Sequence, residues 1–199
     1  MAGALIVVSA PSGGGKTSIA REILRLFPSM RFSVSATTRP PREGEQAGRE
    51  YHFLSRGEFE RGIAAGQFIE WEEMYGNLYG TPVAEVDRAV EEGADLLFDV
   101  DVKGGLSIKD RFPHALLVFI RPPSQEVLQQ RLMNRHTEDE NAIAIRMQRV
   151  PMELALGDRF DVQVVNDDLH RAVREVQKHI YHHLQNTAVR RAGDATATH

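Results

Sequence analysis

The run Ala4-Leu5-Ile6-Val7-Val8-Ser9-Ala10-Pro11-Ser12-Gly13-Gly14-Gly15-Lys16-Thr17 decides the fold of this chain. Its first part, Ala4 to Val8, is continuously apolar and rich in β-branched residues, as a central strand covered on both faces would be. A glycine-rich turn follows at once. From Lys16 onward the apolar side chains recur at helical spacing until Pro28 ends the pattern. Strand, glycine-rich loop and helix therefore follow one another directly.

Residues 10–17 match the pattern of a phosphate-binding loop (P-loop) at every position except the first, where Ala10 replaces glycine. Glycines free the backbone and remove side-chain bulk, so that the amides can turn inward onto phosphate oxygens, and the helix dipole adds to the attraction. Lys16 is then placed to bridge the β- and γ-phosphates of ATP, and the Thr17 hydroxyl to bind Mg²⁺. The predicted ATP-binding residues are Ala10, Pro11, Ser12, Gly13, Gly14, Gly15, Lys16, Thr17 and Ser18. The alternative, a glycine-rich turn with an incidental lysine, does not explain the flanking strand and helix.

Three further apolar runs have the length and composition of buried strands. They are Ala94 to Phe98, Ala115 to Ile120 and Val162 to Val165, and helical stretches separate them. This alternation predicts an α/β fold with a mostly parallel sheet of the P-loop NTPase type, flanked by helices. Ligands are expected at the carboxyl ends of the strands, where Asp99 and Asp101 follow the first of these runs. We assign Asp99 to Mg²⁺, directly or through water.

Composition limits the classes of protein that remain. The chain has 199 residues, of which 42% are hydrophobic and 26% charged, which is enough for one sizeable core. Its 24 Lys and Arg against 28 Asp and Glu give a net charge of −4, so we expect no nucleic-acid partner. The lack of cysteine excludes disulfides and favours a cytoplasmic location. The N-terminal apolar run has no basic flank and is far shorter than a membrane span, so we expect neither a signal peptide nor an anchor.

The chain is predicted to form a single domain with two insertions. The expected parts are a core (about 1–32, 84–126 and 150–190), a substrate lobe (about 33–83), a helical lid (about 127–149) and a frayed tail (186–199). The lobe is rich in Arg, Glu, Gly and aromatic residues, and Phe53, Phe59, Ile63 and Phe68 offer it a small core of its own.

The lobe also carries residues that suit a phosphorylated substrate. Arg39 and Arg42 lie three positions apart on a stretch stiffened by prolines, and Tyr51 follows in the segment 48–53. Paired guanidinium groups and a tyrosine hydroxyl suit a phosphate monoester dianion. The P-loop alone leaves the acceptor open between water, a protein and a small molecule, so the lobe narrows the choice.

Six segments, in order along the chain, resemble guanylate kinase. They are 33–42 and 48–53, followed by Phe68-Ile69-Glu70-Trp71, Tyr75-Gly76-Asn77-Leu78-Tyr79-Gly80-Thr81, Asp99-Val100-Asp101 and Val165-Asn166-Asp167-Asp168. The resemblance covers roughly residues 4–184, and so many motifs in one order make chance improbable. It implies a GMP-binding lobe, a small helical lid, and the phosphorylation of GMP, and of dGMP, by ATP with Mg²⁺ in purine nucleotide metabolism and GMP recycling.

The resemblance implies a role for each residue of the acceptor site. The residues expected to hold the GMP phosphate are Arg39, Arg42, Tyr51 and Tyr79. Those expected to read the guanine are Ser35, Glu70, Thr81 and Asp101. The chemistry agrees, because guanine offers N1–H and an amino group as donors whereas a carboxylate only accepts, and a discrimination of about 10⁴-fold against adenine is plausible. Judged on the lobe alone, Glu70 could equally be an ordinary exposed glutamate beside Glu72 and Glu73.

The resemblance also implies that lid arginines reach the ATP phosphates. The candidates are Arg131, Arg135 and Arg146, with Arg149 as a further one, and with Lys16 and Arg39 the first three are the expected catalytic residues. Arginines on an exposed helix also commonly solvate a face or pair with acids, here Glu138 and Asp139, and we expect that of at least one of the four. Asn166 is implied on the adenine side, although Asn-Asp-Asp after a strand is also common turn chemistry. Pro151 departs from the helix formers expected just after the lid.

Two histidines raise the separate question of a metal site. His179 and His183 lie four positions apart on a presumed helix. Because no third ligand is suggested, we interpret both as surface residues.

The expected reaction is an in-line transfer from ATP to GMP. The accepting phosphate oxygen is already ionised at neutral pH, so no protein base is needed and cationic groups should outnumber acid-base candidates. Closure of lobe and lid is expected to exclude water. Two alternatives are a module of the same family that binds partner proteins without turnover, which the intact P-loop argues against, and a same-fold kinase of a phosphorylated sugar, in which Glu70 would have no purpose. The oligomeric state stays open between monomer and homodimer.

Overall fold

A computed structural model describes residues 3–134 and 140–196 of the chain. Its strands are β1 (Leu5–Ser9), β2 (Arg31–Phe32), β3 (Ala36–Thr37), β4 (His52–Phe53), β5 (Phe68–Met74), β6 (Asn77–Pro82), β7 (Leu96–Asp99), β8 (Leu116–Arg121) and β9 (Val162–Val165). Its helices are α1 (Lys16–Leu26), α2 (Arg56–Ala64), α3 (Val83–Glu92), α4 (Val102–Arg111), α5 (Gln125–Met133), α6 (Glu140–Gly157) and α7 (Leu169–Thr196). Among the described helices, none is long and apolar enough to cross a membrane.

The main sheet has five strands in the order β2-β7-β1-β8-β9, and all its pairings are parallel. The four predicted apolar runs supply β1, β7, β8 and β9. The fifth strand, β2, has two residues, a partly polar pair at the edge of the sheet, and so gives no apolar run to detect. The predicted fold class, a parallel sheet flanked by helices, is confirmed.

Alternation along the central strand divides the core between the two faces of the sheet. Ile6 and Val8 of β1 pack with α1 and α7 on one face, whereas Leu5 and Val7 pack with α3, α4 and α6 on the other. All five residues of β1 are buried, which explains why the run from Leu5 to Val8 is continuously apolar. Because all strands of this sheet run in one direction, the loops that follow β1 and β7 meet at the same edge.

The lobe forms a second sheet of four strands in the order β4-β3-β6-β5, with α2 packed against it. Its small core contains the predicted Phe59, whose ring stacks on Phe68 with centroids 4.3 Å apart, and Ile63 packs beside them. Phe53 is not part of this core, contrary to the expectation. It lies in the edge strand β4, with the Arg39 guanidinium 5.9 Å from its ring centroid.

Two boundaries in the C-terminal third differ from those expected. Helix α6 runs through Pro151 to Gly157 without a break, so the lid shares one helix with the core instead of ending near residue 149. Helix α7 continues to Thr196, through most of the stretch expected to be frayed. The composition of the tail is small and polar but contains no proline after residue 169, so nothing in it interrupts a helix.

Candidate functional site

A cleft of about 730 Å³ lies between the P-loop and the lobe. An inner cavity of about 100 Å³ continues from it beneath the lobe. The predicted residues that line the cleft are Ala10, Pro11, Ser12, Gly13, Gly14, Gly15, Lys16, Thr17, Ser18, Ser35, Arg39, Arg42, Tyr51, Tyr79, Asp99, Asp101 and Arg146. Glu70 lines the inner cavity, so residues from three separate parts of the sequence come together in one place.

The P-loop takes its shape from its glycines and from one buried asparagine. Gly13 and Gly15 have φ values of 86° and 93°, in the left-handed region that side chains disfavour. The Gly14 amide donates to the Pro11 carbonyl at 2.8 Å, and the Gly14 carbonyl accepts from Asn166 Nδ2 at 2.9 Å. Asn166, which was predicted to lie near the adenine of ATP, is buried and contacts the P-loop backbone at Gly14.

Lys16, Thr17 and Asp99 meet at the carboxyl edge of the main sheet. Lys16 Nζ lies 2.5 Å from Asp99 Oδ1, and the Thr17 hydroxyl donates to Asp99 Oδ2 at 3.0 Å. Burial disfavours the ammonium ion, but the charge and hydrogen bond of Asp99, together with Tyr51 and Asp101, outweigh it and raise the pKa of Lys16. A hydroxyl and a carboxylate at the end of a phosphate-binding loop are oxygen donors of the kind that Mg²⁺ accepts together with substrate phosphates. The donor set therefore fits this ion.

The predicted phosphate site of the lobe is held by an acid that sequence reasoning did not single out. Arg39 donates from one nitrogen to both oxygens of Glu45 at 2.9 Å, and the Arg42 amide donates to Glu45 at 2.7 Å. The Arg39 guanidinium also lies 5.4 Å from the ring centroid of Tyr51, whose ring meets that of Tyr79 edge to face. The two predicted tyrosines and Arg39 therefore form one cluster that faces the cleft.

Besides Asp99, three carboxyl groups line the inner cavity. Glu70 accepts a hydrogen bond from the Thr81 hydroxyl at 2.6 Å, which joins two of the predicted guanine-reading residues. Burial raises the pKa of Glu70, against the Thr81 hydrogen bond, which lowers it. Asp101 caps α4 by accepting from the Gly104 amide at 2.7 Å. Glu72, two residues after Glu70 on β5, is the third carboxyl group.

The surroundings of Asp101 and Glu72 shift the pKa values of these two acids in opposite directions. Burial, a hydrogen bond shared with Glu72 and the nearby negative charges raise the pKa of Asp101 to about 7. Although burial opposes it, hydrogen bonds to Asp101 and Lys103 and the charge of Arg149 lower the pKa of Glu72. Ionised carboxylates only accept hydrogen bonds, so the lining of this cavity suits a ligand rich in N–H donors.

The lid arginines differ in where they point. Arg146 donates to the Ser12 hydroxyl at 2.9 Å and lines the cleft. Arg131 donates to the main-chain carbonyl of Asn166 at 2.9 Å. Arg149 donates to Glu72 at 3.1 Å. The acids named as possible partners of the lid arginines, Glu138 and Asp139, lie outside the described residues. Arg135 lies outside the described residues.

Sequence reasoning missed Glu45, Glu72 and Glu153. Glu153, on α6, accepts from the Ser12 amide at 3.4 Å. Alternation along a strand could have placed Glu72 on the same face as Glu70, and helical spacing could have paired Glu153 with Arg149, four residues earlier. Glu45 follows Arg42 by three residues, but no pattern in the sequence specifies that this loop folds back onto Arg39.

His179 and His183, singled out by their spacing, both lie on α7. His183 is half-buried instead of lying at the surface, and burial lowers its pKa. Within residues 3–134 and 140–196, no group of three His, Cys, Asp or Glu side chains is placed to hold a metal.

Comparison with known proteins gives one consistent result. The family model for guanylate kinase matches residues 2–183. A guanylate kinase of Chlorobium luteolum is 53% identical over 175 residues, covering 87% of this chain and 89% of its own length. One of Gloeobacter violaceus is 49% identical over 180 residues, covering 90% and 88%. The crystal structure of guanylate kinase from Anaplasma phagocytophilum superposes with a TM-score of 0.74 at 29% identity, covering 90% of this chain and 85% of its own.

Proposed function

The chain belongs to the guanylate kinase family, whose members are nucleoside monophosphate kinases, and we propose that it transfers the terminal phosphoryl group of ATP to GMP. The reaction is reversible and yields ADP and GDP, and dGMP is the second expected acceptor. The observation that carries the proposal is a single cleft that joins the P-loop to a cationic cluster and to an acid-lined inner cavity.

On the acceptor side, two kinds of groups support GMP as the substrate. Arg39, Arg42, Tyr51 and Tyr79 line the outer part of the lobe and supply donors for a phosphate dianion. Glu70 and Asp101 line the inner part and supply acceptors for the N1–H and amino groups of guanine. We assign Thr81 to the orientation of Glu70 and Ser35 to the edge of the base.

On the donor side, residues 10–18 hold the ATP phosphates through backbone amides and Lys16. Thr17 and Asp99 would hold Mg²⁺, which supplies charge neutralisation at the phosphate oxygens when it is bound. We propose that Asn166 acts on this side by fixing the Gly14 carbonyl, in addition to the adenine-side role that the resemblance implies.

Catalysis in this proposal is positioning and charge neutralisation. The GMP phosphate oxygen that attacks is already ionised, so the site needs no general base. Lys16, Arg39 and Arg146 all reach the same cleft, and they supply positive charge where negative charge accumulates. Arg131, which contacts Asn166, and Arg135 are proposed to join them from the lid when it closes.

Neither alternative function is favoured. A module that only binds proteins has no need of the Lys16, Thr17 and Asp99 arrangement beneath a P-loop. A kinase of a phosphorylated sugar has no need of a buried carboxylate placed beside Asp101 in the inner cavity. A cytoplasmic location, the absence of a nucleic-acid partner, and a monomeric or homodimeric state complete the proposal and rest on composition and charge.

A coupled ADP-release assay across GMP, dGMP, AMP and several sugar phosphates tests the proposal. We expect turnover with GMP and dGMP, and at least about 10³-fold lower kcat/KM with AMP, since a carboxylate facing the adenine N1 lone pair is left unpaired. Turnover without preference for a guanine nucleotide, or no turnover at all, would overturn the proposal.

A further inference from the structure

Glu72 stands at a junction of three parts of the molecule. It lies on strand β5 of the lobe, lines the inner cavity, and its side chain is 16% exposed. One of its oxygens accepts from Lys103 Nζ of α4 at 2.8 Å and from Arg149 of α6 at 3.1 Å. Glu72 and Asp101 line the same inner cavity. Glu72 therefore joins the inner cavity to the core and to helix α6.

The contacts of Arg149 continue from Glu72 toward the ATP side. Its guanidinium Nε lies 3.7 Å from Glu153 Oε1, one helical turn further along α6. The other oxygen of Glu153 accepts from the amide of Ser12 in the P-loop at 3.4 Å. A polar path thus runs from the inner cavity through Glu72, Arg149 and Glu153 to the backbone amide of Ser12 in the P-loop.

The ring of Tyr75 contacts both Arg149 and Arg146. Tyr75 forms the β5–β6 turn with Gly76, and both have positive φ values, 53° and 75°. The Arg146 and Arg149 guanidinium groups lie 5.1 Å and 5.7 Å from the centroid of the Tyr75 ring. Since Arg146 also donates to the Ser12 hydroxyl, the tip of the lobe hairpin supports both connections to the P-loop.

We propose that Glu72 and Arg149 are positioning residues that couple the guanine pocket to the P-loop, so that GMP and ATP bind cooperatively. This inference rests on the proposed function. GMP orders the acids that line the inner cavity, Glu72 among them. Glu72 orients Arg149, and Arg149 orients Glu153, which accepts from the Ser12 amide. The ligand that binds first orders these side chains at a cost in conformational entropy. The second ligand then loses less entropy on binding, so it binds more tightly.

The test measures the dissociation constant of a non-hydrolysable ATP analogue, β,γ-imido-ATP with Mg²⁺, without and with saturating GMP by calorimetry. In the unmodified protein we expect GMP to tighten analogue binding by about 5- to 10-fold. In Glu72→Gln, in Arg149→Met and in the double variant this factor should fall to within about 2-fold of 1. The factor in the double variant should be no lower than that in either single variant.

Glu73→Gln is the matched control. Glu73 follows Glu72 on the same strand, but it is exposed and pairs with Arg56 at 2.7 Å, so its variant should keep the full factor. Thermal unfolding of each variant shows whether it is folded, and if Glu72→Gln is not, Arg149→Met alone still decides.

The outcomes separate the coupling from the underlying function. Failure of GMP to bind the unmodified protein would overturn the proposed function. Binding of GMP with a factor near 1 in the unmodified protein, or an unchanged factor in Glu72→Gln and Arg149→Met, would overturn the coupling alone.

Discussion

The ATP side of the cleft presents mainly backbone amides of residues 10–18, whereas the GMP side presents side chains that other side chains hold in place. The P-loop owes its shape to left-handed glycines and to Asn166 behind it. In the lobe, Glu45 holds Arg39 and Thr81 holds Glu70. The difference teaches that one half of the site is specified by backbone conformation and the other by charge and hydrogen bonding, and substitutions should affect the two halves in different ways.

The largest effect is expected at Lys16, the one charged residue among residues 10–18 and therefore the one whose side chain brings a positive charge to the ATP phosphates. Lys16→Ala removes the ammonium that reaches the phosphates from beside Asp99, and kcat/KM should fall about 10³-fold or more. The ADP-release assay measures this loss, and circular dichroism checks that the fold is kept. A variant that retains turnover would show that backbone amides suffice on this side.

On the GMP side, Glu70→Gln should lower kcat/KM for GMP by about 10²-fold, because an amide in place of a buried carboxylate turns a donor toward the donors of guanine. The Thr81 hydroxyl keeps a partner in this variant, so stability should change little. Parallel assays with AMP measure specificity. If the ratio of GMP to AMP activity stays as in the unmodified protein, Glu70 does not read the base.

How much of this molecule the sequence predicts follows the same division. The P-loop and the strands around it are local patterns, so residues 4–17 and the three later apolar runs sufficed for the fold. The pairing of Glu45 with Arg39 and of Glu72 with Arg149 joins segments that only tertiary structure brings together. Pattern reasoning has no access to such contacts, which explains why it predicted many residues that line the cleft but missed the acids that hold them.

Because backbone groups form the ATP side, we expect a single added methyl group there to weaken both ATP binding and stability. A Cβ added at Gly15 would overlap the side-chain nitrogen of Asn166, and φ at this position is 93°. Gly15→Ala should therefore raise the KM for ATP about 10-fold and lower the free energy of unfolding by about 1–3 kcal/mol.

Initial rates at varied ATP and urea unfolding measure the two effects of Gly15→Ala. The matched control is Gly66→Ala, a lobe turn with φ of 66° and no heavy atom within 4 Å of an added Cβ. It should lose some stability, since its backbone is also left-handed, but it should keep the KM for ATP. An equal change in KM for both variants would contradict the contrast between the two sides.

The smallest expected effect concerns pH and belongs to the GMP side alone. Burial raises the pKa of Glu70, although the Thr81 hydrogen bond and Lys16 act in the opposite sense. Since only the ionised carboxylate accepts from guanine, GMP binding is complete above this raised pKa and weakens as the pH falls through it. The KM for GMP should rise a few-fold, about 3-fold, as the pH falls through the weakly acidic range below 7.

Other groups titrate in the same range, so the comparison must isolate Glu70. Asp101, with its pKa of about 7, faces the same cavity, and the GMP phosphate itself takes up a proton near pH 6. Glu70→Gln retains both of these contributions, so the difference between the pH profiles of the two proteins belongs to residue 70. Parallel profiles would mean that Glu70 stays ionised throughout, and that the pH dependence comes from Asp101 and the GMP phosphate instead.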